Sequence, residues 1–228
     1  SVQVVCERFG DFAVAGQFDV VTLIGVLEYA AIYGAAQQPH LDMLQQARRF
    51  LKPGGVLLIA IENQLGLKYF AGALEDHLGE PFYGVESHYG AGQAKTFGRK
   101  ELHALVQEAG FAHRVTMAPF PDYKLPSVVV TEAGFEDRRF NASALISPTE
   151  TSDEQSPELP IFSQFRAWPA VLRNGLGMDL ANSFLLAVSD QEVDADRNVL
   201  AHYFGGQRGP GSFKHSVFTV DKDANLVV

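Results

Sequence analysis

The chain has 228 residues, 46% of them hydrophobic, which is enough to bury a core as one large domain or two small ones. Its formal net charge is −9, from 18 Lys and Arg against 27 Asp and Glu, and no basic run could track a phosphate backbone, so nucleic acid is not expected as a partner. A single cysteine, Cys6, excludes an intrachain disulfide framework and a Cys-rich zinc site, and it suits a reducing compartment, which makes the cytoplasm the expected location. The longest apolar run, Val56 to Ile61, is too short to span a bilayer, and the start does not read as a signal peptide. Ser1 rather than Met opens the chain, directly before a strand-like run, so a processed or excised fragment of a larger polypeptide is expected.

Val2 to Cys6 reads as a short strand. Phe18 to Ile24 is nearly continuous, apolar and β-branched and stops at Gly25, the pattern of a strand buried on both faces of a parallel sheet. Leu41, Leu44, Ala47, Arg48 and Leu51 recur at helical spacing until Lys52-Pro53-Gly54-Gly55 breaks the helix. Val56 to Ile61 is the next strand, which completes a strand-helix-strand unit of the length a parallel crossover needs. Gln64 to Lys95 shows no sustained periodicity and reads as a long loop with a short helix; loops of that length are commonly functional. Helical spacing returns from Thr96 to Ala109, with a stop at Gly110. Arg114 to Ala118 and Ser127 to Thr131 flank a Pro-rich turn and predict an antiparallel hairpin.

The Ser-, Thr-, Pro- and acid-rich stretch from Ser147 to Pro160 marks a linker. The expected division is residues 1–136, a linker at 137–160 and a carboxy-terminal segment at 161–228. That segment carries a helix from Pro169, an apolar stretch at Phe184 to Val188, and two strand-like pieces around Gly205 to Gly211.

Two stretches carry a resemblance. Phe18-Asp19-Val20-Val21-Thr22-Leu23-Ile24-Gly25-Val26-Leu27-Glu28-Tyr29 resembles the fourth strand of class I S-adenosylmethionine-dependent methyltransferases and the loop leaving it. Leu51-Lys52-Pro53-Gly54-Gly55-Val56-Leu57-Leu58-Ile59 is similar to the turn into their fifth strand. Glu62 to Gly72, Glu75-Asp76-His77 and Phe120 to Pro126 further resemble methyltransferase domains of large bacterial polypeptides associated with glycosyltransferases and O-antigen synthesis. The resemblance covers roughly residues 2–135 and implies an α/β, Rossmann-like methyltransferase sheet, truncated at its amino-terminal end, with the strands at Val20, Leu58, Val115 and Val129 side by side. It implies S-adenosylmethionine as cofactor and methyl transfer to a sugar hydroxyl of a surface-polysaccharide intermediate. One departure stands out: the family's Gly-rich turn after its first strand and its ribose-binding acid do not precede Val2. Gly90-Ala91-Gly92 and Gly175-Leu176-Gly177 lack the strand-turn-helix context that would replace them. Two other readings remain: an interaction or scaffold domain that kept the fold, and a nicotinamide-dependent oxidoreductase, whose Gly-rich fingerprint is also missing.

An activated sulfonium methyl asks the protein mainly to align an acceptor and remove its proton. Open α/β sheets bind ligands at the carboxyl ends of their strands. By resemblance, Glu7 and Arg8, Gly25, Val26 and Glu28 are the expected cofactor contacts, with Asp11 an alternative to Glu7. His77, flanked by Glu75 and Asp76, is the candidate base, read against the alternative of an ordinary surface histidine. Asn63 and Tyr69, with Lys68, are candidates to bind a sugar hydroxyl, and Asp122-Tyr123-Lys124 caps the cleft or simply makes a rigid turn. No His or carboxylate spacing points to a metal. Because Val20 to Ile24 is too apolar to stay bare, residues 2–24 are expected to pair with a second copy, as a homodimer, or to be covered by the segment after the linker.

Overall fold

The computed structural model describes residues 2–12, 15–34, 36–152, 155–157, 159–193, 198–205 and 210–228. In chain order the elements are β1 (Phe18–Ile24), α1 (Ala30–Tyr33), α2 (Pro39–Phe50), β2 (Leu51–Glu62), α3 (Leu67–Phe70), α4 (Arg99–Glu108), β3 (His113–Phe120) and β4 (Val128–Thr131). Then follow α5 (Glu132–Glu136), α6 (Ala142–Ile146), α7 (Gln164–Arg173), β5 (Ser183–Ser189), β6 (Val199–Gly205), β7 (Lys214–Val220) and β8 (Leu226–Val227). All eight strands join one mixed sheet in the order β1-β2-β5-β3-β4-β6-β7-β8. β1 and β2 run parallel, from Val20 beside Val56 to Ile24 beside Ala60, and every other pairing is antiparallel.

The parallel pair forms where the sequence reading puts it. Pro39 sits in the first turn of α2, where a missing N–H costs nothing, and Leu44, Ala47 and Phe50 fall on one face and are buried. Burying that face returns the chain beside β1, and Gly54, at φ +76°, takes a conformation that favours glycine as β2 begins. The hairpin of β3 and β4 also stands as expected, with Met117 opposite Thr131 and Phe120 opposite Val128.

Three expectations are corrected. Val2 to Cys6 forms no strand: Val2 and Val4 are almost fully exposed, and among the described residues no strand pairs with them. The strands at Leu58 and Val115 are not neighbours, because β5 lies between them, with Leu57 paired to Val188 on one side and Val188 paired to Arg114 on the other. Its sequence, Ser-Phe-Leu-Leu-Ala-Val-Ser, is apolar on both faces, and a strand of that kind is stable only with cover above, below and at both edges. Nor does the segment after residue 160 shield β1, since β6, β7 and β8 extend the opposite edge of the sheet. Residues 161–228 therefore supply the middle of the sheet and its far side. Residues 206–209, within the Gly-rich stretch, lie outside the described residues.

The stretch read as a linker holds α6 and a 3-10 run at Ser147–Ser152. Ile146 is buried there, and Trp168 of α7 packs edge-on against Phe120 of β3 with ring centroids 5.3 Å apart. The core continues through Leu57, Ile59 and Ile61 of β2 and Phe184, Leu186 and Val188 of β5.

Candidate active site

Parallel pairing sets the carboxyl ends of β1 and β2 side by side, and the chain leaves both ends by turns. After β1, Gly25 at φ +62° donates its N–H to the Ala60 carbonyl, 2.9 Å away, and turns the chain so that Glu28 points back under the strand ends. A Cβ at Gly25 would lie 2.6 Å from the Tyr123 hydroxyl and make that side chain shift, while the positive φ itself favours glycine. β2 ends on Glu62. Between these ends lies a cavity of about 410 Å³ whose polar walls include Glu28, Glu62, Asp76, His77, Tyr123 and Lys124.

The long loop after α3 is held by its own side chains. Glu75 Oε2 accepts the N–H groups of His77 and Leu78, each at 2.8 Å, and the Tyr89 hydroxyl joins Glu75 Oε1 at 3.3 Å to Thr96 Oγ1 at 2.7 Å. Gln64 donates to the Gly84 carbonyl at 2.8 Å. These bonds place the His77 ring among three carboxylates: Glu75 Oε1 at 3.1 Å from Nδ1, and Glu28 Oε1 and Glu62 Oε2 at 3.8 and 4.0 Å from Nε2. The Tyr29 ring meets it edge-on at 5.1 Å.

The electrostatics follow from burial. Glu28 and Glu62 are each 1% exposed, and each keeps one carboxylate oxygen, Oε2, with no hydrogen-bond partner. Burial, then the neighbouring Asp76 charge, raises the Glu62 pKa against the pull of Lys124, whose Nζ stands 2.5 Å from Glu62 Oε1. Burial alone would lower the His77 pKa, but its contacts with Glu28 and Glu75 and the charge of Glu62 overcome that and push it up to about 10. Lys68 is fully buried and forms ion pairs with Asp76 at 3.4 Å and Asp122 at 3.6 Å. Lys124 reaches Asp76 at 3.7 Å and Asp122 at 3.4 Å, so all these charges belong to one connected network.

The structure brings together Gly25, Glu28 and His77 of the expected site residues. Tyr69 and Asn63 lie behind them and are enclosed. The Tyr69 hydroxyl donates to Asp76, and Asn63 spends its amide on the backbone, giving to the Asp179 and Ala181 carbonyls at 2.8 and 2.7 Å and accepting from Leu65 N–H at 3.0 Å. Both are buried, and neither lines the cavity. Val26 is exposed beside the turn, and Glu7 and Arg8 line a separate hollow with Phe9, Phe12 and Phe18 along the free edge of β1. Without a strand at Val2 to Cys6, nothing carries Glu7 and Arg8 to the Gly25 side. His77 also departs from the role of a base: a ring with a pKa of about 10 carries its proton at neutral pH. Glu62, Asp76 and Lys124 gain most from the structure. Their signal in the sequence was a polar residue at a strand end, an acid beside His77 and a lysine between prolines, and each was too common to read alone.

Together the fold and the cavity define an α/β protein with a mixed sheet and an acidic site at the carboxyl ends of its parallel strands. No protein-family model and no curated protein matches the chain. Solved structures similar to it include an S-adenosylmethionine-dependent methyltransferase from Thermotoga maritima, at 14% identity and a TM-score of 0.44, with 83% of this chain and 65% of that one covered. Another, from Archaeoglobus fulgidus, is 9% identical with a TM-score of 0.40, covering 82% and 66%. A third, phosphoethanolamine N-methyltransferase 2 of Haemonchus contortus in complex with phosphomonomethylethanolamine and S-adenosylhomocysteine, is 16% identical with a TM-score of 0.37, covering 80% and 36%. The chain thus spans between 36% and 66% of the length of these three.

Proposed function

We propose that the chain forms the acceptor side of an S-adenosylmethionine-dependent methyltransferase that methylates a sugar hydroxyl of a bacterial surface-polysaccharide intermediate, of the O-antigen kind. The observation that carries the reading is the pair of buried carboxylates, Glu28 and Glu62, each with an oxygen that accepts no hydrogen bond, at the carboxyl ends of two parallel strands. An open α/β sheet binds its ligand at that end, and acceptor-only oxygens there suit a ligand rich in hydroxyl donors. Glu62 is the better base, because burial has raised its pKa while Oε2 accepts no hydrogen bond, with His77 Nε2 4.0 Å away. The protonated His77 and Lys124 then stabilise the anionic wall rather than accept the proton. On this reading the methionine end of the cofactor is held by residues other than these 228, in the rest of a larger polypeptide. Gly90 and Gly92, like Gly175 and Gly177, lie in turns with no strand before them. The exposed apolar residues of β1 fit a partner along that edge, either such a segment or a second copy of this chain.

Calorimetry tests the cofactor half: the 228 residues alone are expected to bind S-adenosylmethionine weakly or not at all, and micromolar binding would show that the methionine site has been misplaced. Labelled methyl transfer by the larger polypeptide tests the chemistry. Glu62→Gln should lower kcat by about 10²-fold or more, with KM for the cofactor little changed. Unaltered turnover would leave the scaffold reading in its place.

A further inference from the structure

We propose that Glu28, Glu62 and His77 form a binding site for a divalent transition-metal ion. The three residues come from the turn after β1, the last residue of β2 and the loop after α3, so no spacing in the sequence announces them. Their ligand atoms all lie within 4.8 Å of one another, with His77 Nε2 at 3.8 Å from Glu28 and 4.0 Å from Glu62. Metal bonds of about 2.0–2.2 Å put neighbouring ligand atoms roughly 3 to 4 Å apart, so a small inward movement of each side chain closes the set.

Two further observations point to a cation. The first is the orphan oxygens. A carboxylate oxygen buried with no donor costs free energy, and Glu28 and Glu62 each keep one beside the cavity. The second is charge. The connected network holds five carboxylates, Glu28, Glu62, Glu75, Asp76 and Asp122, against three basic groups, Lys68, His77 and Lys124. Once the His77 proton is displaced, five carboxylates face two lysines, and a divalent ion reduces that excess of three negative charges to one.

The imidazole is also oriented for the task. Its Nδ1 faces Glu75 Oε1 at 3.1 Å, and Glu75 is itself fixed by two backbone N–H groups, so an Nδ1–H tautomer leaves Nε2 to ligate. One imidazole and two carboxylates suit an ion such as Mn²⁺ and leave coordination positions open towards the cavity. Binding displaces the Nε2 proton of the imidazolium to solvent, and Glu62 Oε1 remains with Lys124. The inference rests on the same site as the methyl-transfer reading, with a bound ion taking Glu62 Oε2 as a ligand in place of its role as base, and its test needs neither cofactor nor acceptor.

The whole chain, stripped with chelator, is titrated with Mn²⁺ alone, and the free ion is followed by electron paramagnetic resonance. One ion per chain should bind saturably at micromolar concentration. Glu28→Gln and Glu62→Gln, checked for folding by circular dichroism, should each weaken binding at least about tenfold. Glu86→Gln, on the surface, should leave it unchanged. In the unmutated protein the His77 ring resonances should broaden before those of His88 or His215, which keeps the test open should a variant fail to fold. No saturable binding at millimolar Mn²⁺ overturns the proposal. So does equal affinity in the Glu28 and Glu62 variants, or broadening first at another histidine. Failure here leaves the calorimetric and transfer experiments untouched, so the two readings fall separately.

Discussion

β1 and β5 are both seven residues long and both mainly apolar, yet β5 is almost wholly buried while β1 leaves Phe18, Val20 and Ile24 about half exposed. The difference lies in their neighbours. β5 has β2 on one side and β3 on the other, whereas β1 has β2 on one side and, among the described residues, no strand on the other. Apolar sequence states a demand for cover, and the rest of the chain decides whether it is met.

The most drastic way to test that contrast is to end the chain after residue 160. This removes β5, whose pairing with β2 runs from Leu57–Val188 to Glu62–Ser183, together with the Trp168 side chain packed on Phe120. Loss of cooperative unfolding is expected in circular dichroism and hydrogen exchange. A cooperative fold in residues 1–160 would show that the sheet can close without its middle strand.

A pair of truncations sharpens the comparison. Leu186 is fully buried in β5, and Leu186→Ala should cost about 2–5 kcal/mol in a urea titration. Val20 in β1 is 52% exposed, and Val20→Ala should change stability by no more than about 0.5 kcal/mol while its edge is bare. A cost for Val20→Ala above about 1 kcal/mol would mean that something covers β1 in solution. Val20→Lys then identifies it: if the cover is a second copy, light scattering of the parent chain shows a dimer and the variant a monomer. A strictly monomeric parent whose Val20 to Ile24 amides exchange freely would end the pairing idea.

The same contrast explains what could be read from the sequence. The crossover from β1 through α2 to β2 is local, so periodicity and the stop at Gly25 were enough to find it. The hairpin of β3 and β4 is local in the same sense. β5 was legible as an apolar stretch but not as a position, because insertion between β2 and β3 depends on partners more than 60 residues away. The site divides likewise. His77 with Glu75 and Asp76 stands out within one loop. The juxtaposition of Glu28, Glu62 and His77 is a product of the parallel register and of the loop's own hydrogen bonds, and neither shows in spacing. Asn63 drew attention by its place after a strand, where its amide proves to be a backbone joint. Glu7 and Arg8 were assigned by analogy to a strand that these residues do not form.

The smallest expected effect comes from His103, which ties α4 to the covered part of the sheet. Its Nε2 lies 3.0 Å from Thr116 Oγ1 of β3, and burial, reinforced by Arg114 and Arg99, lowers its pKa from 6.5 to about 4. The folded protein therefore keeps this ring neutral at a pH where the unfolded chain protonates it. The unfolded state binds more protons between those two values, so stability is fully present above 6.5 and is lost as pH falls towards about 4. The ring is only half-buried, so solvent screening cuts the loss to on the order of 1 kcal/mol. Carboxylates that ionise more readily in the fold add to acid destabilisation over an overlapping range, so the informative quantity is a difference between two proteins. Urea midpoints for the parent and His103→Gln, compared from neutral pH down to about 4.5, should converge as pH falls, because the variant has no ring to protonate. Parallel pH profiles would show that His103 titrates alike in both states, and hence that the packing of α4 on β3 leaves the ring in water.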